Sequence, residues 1–278
     1  ALIISNKGGG EARNVRMTTK QPQIIENEKG LATGFSIISS SLNGLPATLS
    51  FGETVQNDFG TIAPGTTAYA QWWMTDSLLG HFTEYDATVN HLTSYGNPDL
   101  SLIDQFSIHE LIHGFTPMTT GSSLTDDVKR GWLVNDIADA DDMPDAVYFS
   151  DATNESTSVA TAGIEQRPGL QYLLTITPPQ QGWSYGSVAS PVGSGIRLAK
   201  AIRMSDEATL PLDNVWQTDR TLRDGREWLY ENRIHFVGHF AGGSESYLLT
   251  FTALDGDVNG DGVIDVADIA AIISVMAG

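Results

Sequence analysis

Oxygen-bearing side chains recur at regular offsets near the C-terminus of the chain, in the segment DVNGDGVIDVAD (257–268). If Asp257 is position 1, side-chain oxygens fall at positions 1, 3, 5, 9 and 12, with glycine at position 6. A hard cation takes six to eight oxygens at about 2.3–2.6 Å, and the glycine allows the sharp turn around it. The spacing therefore predicts one Ca²⁺ site. Its ligands would be Asp257, Asn259, Asp261, the main-chain carbonyl of Val263, Asp265 directly or through water, and Asp268.

After this loop the sequence predicts a single helix, IAAIISVMAG (269–278). A calcium loop with Asp268 at position 12, followed by an exit helix, resembles one calcium-binding repeat of a type I dockerin. The resemblance covers residues 255–278 and implies Ca²⁺ as the cofactor. Dockerins usually contain two repeats, whereas this sequence has one such loop. Val266 and Ala267 stand where a dockerin often has its cohesin-recognising residues, which argues against cohesin binding.

The predicted helix has an apolar stripe with the spacing i, i+3, i+4 and i+7, formed by Ile269, Ile272, Ile273 and Met276. Such a stripe must pack on a neighbour for the helix to be stable. That neighbour is either the adjoining domain of this chain or a separate protein partner.

A second motif, His109-Glu110-Leu111-Ile112-His113, has the HExxH pattern. On a helix, its histidines would bind zinc one turn apart and its glutamate would act as the general base of a peptidase. Thr119 stands where a metzincin has its third histidine, and Glu155 and Glu165 lack an ExxxD context. The flanks are β-prone, and a strand would separate the two histidines by about 13 Å. We interpret the segment as a strand or connector between two domains, with a zinc peptidase as the alternative.

Charge is strongly unbalanced, with 34 acidic and 15 basic residues and a net charge of −19. Such a field repels phosphate backbones and anionic lipids, which argues against nucleic-acid and membrane-surface partners. Cysteine is absent, so the chain has no disulfide framework and no thiolate chemistry. No apolar run is long enough to predict membrane insertion. The chain begins within an expected strand, and we expect it to be a mature or cleaved piece of an extracellular or cell-surface protein.

The first region, 1–115, contains short β-prone runs separated by turn residues. Strands are expected at Leu2–Ser5, Asn14–Thr19, Ala68–Thr75 and Phe82–His91. The segments ISNKGGGEARNV and TIAPGTT resemble CARDB and related immunoglobulin-like modules of bacterial surface proteins. That resemblance implies a β-sandwich that serves as a spacer or adhesion unit, truncated at its N-terminus in this chain.

The second region, 116–254, is also β-prone, with strands expected at Asp145–Phe149, Tyr172–Thr177, Arg233–Val237 and Ser246–Thr252. The stretches TPPQQGWSYGS and DNVWQTDRTLRDGREWLYENR predict long loops. In NRIHFVGHF, alternation predicts Ile234, Phe236 and Phe240 inward, with His235 and His239 facing solvent or a loop. The acidic run is either a solvated loop or a second cation site; its members are Asp136, Asp139, Asp141, Asp142 and Asp145.

The tryptophans give a further alternative, because exposed aromatic rings stack on sugars. Trp72 and Trp73 are consecutive, so one is expected inside the sandwich and one outside. Core packing is favoured for each tryptophan, and a polysaccharide platform is the alternative. The remaining candidates lie in the predicted loops: Trp183 with Tyr185, and Trp216 with Trp228 and Tyr230.

These observations predict an all-β chain with two immunoglobulin-like β-sandwich domains, 1–115 and 116–254, and a dockerin-like calcium module, 255–278. The expected function is structural or adhesive, without catalytic residues. The alternatives are a carbohydrate-binding accessory region of a secreted enzyme assembly and an HExxH zinc peptidase.

Overall fold

The computed structural model describes residues 1–20, 35–47, 54–76, 87–92, 102–118, 129–135, 143–193, 195–224, 227–253, 266 and 269–270. Across these residues the chain is mostly β-strand with almost no helix, which confirms the predicted all-β class. It divides into two compact units. The first comprises Ala1–Ile108 with Ser150–Thr153, and the second comprises His109–Phe149 with Asn154–Gly278. Within the described part, no helix has the length and apolar character needed to span a membrane.

The first unit contains two antiparallel sheets that enclose one core. One sheet has the order β1-β6-β3-β4 and the other β5-β2-β7. Val15, Phe59 and Ala70 come from three strands of the two sheets and meet in this core. The strands are β1 (Leu2–Ser5), β2 (Ala12–Lys20), β3 (Phe35–Leu42), β4 (Leu45–Ala47), β5 (Thr54–Ile62), β6 (Thr67–Asp76) and β7 (Ala87–Leu92).

The turn between β3 and β4 shows how the sequence determines local structure in this unit. Asn43 and Gly44 both have positive φ, 49° and 81°, and Leu42 pairs with Leu45 across them. A two-residue Asn-Gly loop with this backbone matches the right-handed twist of the flanking strands. The side chain of Asn43 also accepts a 2.9 Å hydrogen bond from the backbone N–H of Tyr69, which ties the turn to β6.

The second unit contains a seven-stranded sheet, β17-β18-β14-β11-β10-β9-β8, and a five-stranded sheet, β12-β13-β19-β15-β16. Its strands are β8 (Glu110–Phe115), β9 (Gly131–Asn135), β10 (Ala146–Phe149), β11 (Asn154–Val159), β12 (Thr161–Arg167), β13 (Gln171–Thr177), β14 (Gly182–Ala189), β15 (Ile196–Arg203), β16 (Thr209–Leu210), β17 (Val215–Asp224), β18 (Glu227–Phe240) and β19 (Glu245–Ala253).

Strand β11 divides the seven-stranded sheet. Its first half pairs antiparallel with β10, where Ser156 faces Ala146. Its second half pairs parallel with β14, where Thr157 faces Trp183. The sheet folds over at this strand, so that β8 at one end of the sheet contacts β17 at the other end through the rings of His113 and Trp216.

The folded sheet gives the second unit two cores, on opposite faces of β14 and β18. Phe236 and Val237 are neighbours in β18 and are 1% and 0% exposed, yet they belong to different cores. The inner core lies against the five-stranded sheet and includes Ile234, Phe236 and Phe240, as predicted. The outer core lies under β8–β10 and includes Phe115 and Val237. Strand β18 is therefore buried on both faces, like a strand of a layered β structure.

Candidate functional site

The predicted calcium ligands lie outside the described residues: Asp257, Asn259, Asp261, Val263, Asp265 and Asp268. Val266, between the last two predicted ligands, is helical, and so are Ile269 and Ala270 just after them. Val266 is 78% exposed and Ile269 is 56% exposed. The other members of the predicted apolar stripe also lie outside the described residues. The calcium site stays a prediction from its ligand spacing.

The HExxH segment forms an edge strand, because β8 begins at Glu110 and pairs with β9. This confirms the predicted strand. The helical spacing that the peptidase alternative requires does not occur here. The imidazole of His109 packs 4.4 Å from the Tyr148 ring, whereas that of His113 stacks 3.8 Å from the Trp216 ring. The two histidines thus contact different strands.

The acidic candidates for a third ligand lie elsewhere in the second unit. Glu155 is an exposed residue of β11, and Glu165 of β12 forms an exposed 3.3 Å ion pair with Arg167. Among the described residues, no group of three or more His, Asp or Glu side chains could hold a metal ion.

Three rings from three strands form a histidine–tryptophan stack, which we define as His113 of β8, Trp216 of β17 and His235 of β18. The ring centroids are 3.8 Å apart for His113 and Trp216, with an interplanar angle of 11°. They are 5.1 Å apart for Trp216 and His235, with an angle of 10°. Both nitrogens of His235 have partners, since the Tyr185 hydroxyl lies 2.8 Å from Nδ1 and the Thr218 hydroxyl lies 2.8 Å from Nε2.

The stack corrects the prediction that His235 and His239 face solvent or a loop. Both are only half-buried, yet each packs on an aromatic ring of the outer core region, and His239 lies 5.5 Å from Trp183. The physical reason is that β8–β10 cover this face of β18. The sequence alternation places these histidines on the correct face, but it does not show that another layer covers that face.

Burial lowers the pKa of His113 below its usual value, because the charged imidazolium would lose solvation. Asp213 opposes this shift, and Arg130 reinforces it. The Arg130 guanidinium donates to Asp213 at 3.1 Å and to the Thr116 hydroxyl at 2.8 Å. That hydroxyl donates in turn to Asp213 at 2.8 Å. Both bonds to Asp213 reach one carboxylate oxygen and join the end of β8 to the turn before β17.

The tryptophan predictions have mixed outcomes. Trp72 packs against the first core and Trp73 is 45% exposed, so the predicted division of this pair is confirmed. Trp183 and Trp216 lie in β14 and β17, which makes the predicted long loops wrong. Trp228 and Tyr230 fall within β18, and their side chains are outside the described ones.

The loop prediction failed because β14 uses small residues on its inner face. Ser184 is fully buried and shares a 2.8 Å hydrogen bond with Ser158. Gly186 packs against Ala160 and Ile176. These small polar residues are typical of turns in sequence, whereas here they allow close packing of neighbouring strands. The hydrogen bonds of Tyr185 and Thr218 to His235 were also not predicted, because both residues lie in segments that were predicted to be loops.

The acidic run is described only at its end. Residues 136–142 lie outside the described residues, and Asp145 contributes its backbone. Its N–H donates to Val134 at 3.1 Å and its carbonyl accepts from Thr157 at 2.7 Å. A second cation site there stays a prediction.

No protein-family model, no curated protein and no solved structure matches this chain.

Proposed function

We propose that the chain is a structural or adhesive segment of an extracellular or cell-surface bacterial protein, with a dockerin-like calcium module at residues 255–278. The observation that carries this proposal is the ligand spacing of DVNGDGVIDVAD. The all-β architecture, with separate cores in its two units, supports a role as a chain of β-sandwich spacers, here taken as immunoglobulin-like. The net charge of −19 suits a calcium-rich exterior.

Calcium would act by ordering the end of the chain. Four carboxylates, Asp257, Asp261, Asp265 and Asp268, fall within twelve residues and would repel each other in a closed loop without a cation. Binding of Ca²⁺ would close the loop and hold the exit helix. The exposed Val266 and Ile269 support a role for that helix in docking, either to a protein partner or to the second unit.

We assign no catalytic role to Glu110. Its side chain is exposed on an edge strand, and the amide of Asn135 donates to it at 3.4 Å. The flanking histidines contact Tyr148 and Trp216, on different strands, so the three groups do not converge on one point.

The decisive experiment is calorimetric titration of the chelator-treated chain with Ca²⁺. We expect one ion per chain and an affinity that falls by about tenfold or more in Asp257→Ala and in Asp268→Ala, because each removes a charged oxygen ligand. Asp255→Ala is the matched control, since this carboxylate lies two residues before the loop. Unaltered affinity in both ligand variants would refute the proposal.

Limited proteolysis with and without EDTA tests the linkage between calcium and the helix. A ligand that binds only the folded form stabilises it by about 2.7 kcal/mol at a hundredfold excess over Kd. We expect the tail to be cut rapidly in EDTA while both β units persist. A tail of equal resistance in both conditions would show that calcium does not order it.

A further inference from the structure

We propose that the outer face of sheet β1-β6-β3-β4 in the first unit binds a neutral polysaccharide, with Trp73 as the central stacking ring. The inference rests on the proposed adhesive function, for which it names a partner. It uses none of the residues of the calcium module.

Strand β6 displays the two-residue alternation of a half-buried strand. Ala68 and Ala70 are buried, 6% and 0% exposed, and face the core with Trp72. The outward residues are therefore Tyr69, Gln71, Trp73 and Thr75. At about 3.3 Å per residue this outward row spans about 20 Å, in which Trp73 and Thr75 are exposed and Tyr69 and Gln71 are half-buried.

A β-bulge widens the face beside Trp73. The pairing of β3 with β6 shifts between Ile37 and Ser39, so Ile38 is an extra residue in β3. Ile37 is 4% exposed and faces the core, whereas Ile38 is 56% exposed. Ser39 is also exposed and lies directly across from Trp73. The bulge thus presents an apolar and a hydroxyl side chain together at the edge of the indole ring.

Several of the described residues beside Trp73 carry uncharged hydrogen-bonding groups. Ser36 and Thr75 are paired across the strands, and their exposed hydroxyls lie 3.3 Å apart. Gln71 lies two residues before Trp73 on the same face of β6 and adds an amide. An indole ring packs against the C–H face of a sugar, and hydroxyls and amides bond to its O–H groups.

Charge selects among glycans. The described residues that face outward around Trp73 are uncharged: Ser36, Ile38, Ser39, Gln71, Trp73 and Thr75. The chain as a whole carries a net charge of −19 and repels polyanions. An uncharged, polyhydroxylated ligand fits this face, and an anionic polysaccharide does not.

The other tryptophans of the described residues are less available. Trp183 is 4% exposed and Trp132 is 3% exposed. Trp216 lies between two imidazole rings. Among the tryptophans whose side chains are described, Trp73 is thus the most exposed, at 45%.

The test is affinity electrophoresis of the full chain through gels that contain neutral polysaccharides such as xylan, glucomannan or hydroxyethyl cellulose, with polygalacturonate as the anionic arm. We expect retardation by at least one neutral polysaccharide and none by polygalacturonate. Trp73→Ala should weaken binding by at least about tenfold, because a central tryptophan dominates such contacts. Trp73→Phe should retain part of the binding.

Leu45→Ala is the matched control, because Leu45 is 71% exposed on the same sheet but lies in β4, next to the Asn43-Gly44 turn. Thermal unfolding of each variant shows that the first unit stays folded. Running every gel in calcium and in EDTA separates this proposal from the calcium module, since binding should be equal in both. No retardation by any neutral polysaccharide would overturn the proposal, as would equal binding by Trp73→Ala and wild type. Self-association that Trp73→Ala abolishes, without glycan binding, would replace the glycan with a second copy of the chain.

Discussion

Replacing Asp206 with alanine should strongly destabilise the second unit, because this carboxylate neutralises a buried arginine. Arg203 ends β15, and its side chain is 5% exposed. Its Nε donates to one carboxylate oxygen of Asp206 at 2.8 Å and its Nη2 to the other at 2.7 Å. The hydrogen bond to Asp206 raises the pKa of Arg203. Because an arginine stays charged in proteins, the guanidinium remains charged when Asp206 is replaced.

The magnitude follows from the burial of the two partners. Removing one partner of a buried ion pair costs about 3–5 kcal/mol, because a buried charge is left without compensation. The Asp206 side chain is 29% exposed, so water can reach part of the site. We therefore expect a loss of about 2–3 kcal/mol in the free energy of unfolding. For a domain of 150–250 residues this lowers Tm by about 5–10 °C.

Thermal and denaturant unfolding of the full chain measure this loss. Asp206 also accepts a 3.2 Å bond from the backbone N–H of Ala208, so Asp206→Asn is needed to separate the charge from the turn. Glu165→Ala is the matched control, because its ion pair with Arg167 is exposed and should contribute less than about 1 kcal/mol. If Asp206→Ala and Glu165→Ala unfold at the same temperature, the reasoning is wrong.

Two further predictions concern the outer core. Gly131→Ala should cost about 1–3 kcal/mol of stability, because the added Cβ would lie 2.6–2.9 Å from ring atoms of the fully buried Phe115. Gly163→Ala, with nothing within 4 Å, is its control, and equal denaturation midpoints would contradict the packing. Burial lowers the pKa of His113 in the folded chain. Just below the ordinary histidine pKa of about 6.5, His113 therefore takes up a proton more readily in the unfolded chain than in the folded chain. Stability should therefore fall as the pH drops below that value, and His113→Asn should flatten this part of the profile in denaturant titrations followed by tryptophan fluorescence; an unchanged slope would refute the assignment.

The sequence predicted the strands whose residues follow simple patterns. Leu2–Ser5 is β1, as expected, and Tyr172–Thr177 lies within β13, where buried and half-buried residues alternate. The strands that the sequence did not predict are covered by other layers of the fold, and no local sequence pattern indicates such a cover. Trp183 and Trp216 lie in polar, glycine-containing segments, and their strand structure depends on packing against β8–β10 and the five-stranded sheet. Tertiary contacts decide β structure more than intrinsic propensity does.

The candidate site divides in the same way. The predicted ligand spacing from Asp257 to Asp268 can be read from the sequence, because these residues lie within twelve consecutive positions. The histidine–tryptophan stack could not be predicted, because His113 and His235 lie on strands that only the fold brings together. Local chemistry is visible in a sequence, whereas chemistry assembled across a folded sheet is not.

The contact between the two ends of the seven-stranded sheet also determines the order in which the second unit can fold. Thr116 bonds to Asp213 across a separation of 97 residues. Phe115, Leu133 and Val147 are all 0% exposed, and their core is completed by Trp183 and Val237, which are made later during synthesis. The first three strands of this unit, β8–β10, are therefore synthesised before most of the residues that bury their apolar side chains. Contacts over such distances slow folding and lengthen the interval in which strand edges can aggregate. For this topology we expect slow refolding of the second unit and aggregation that increases with protein concentration.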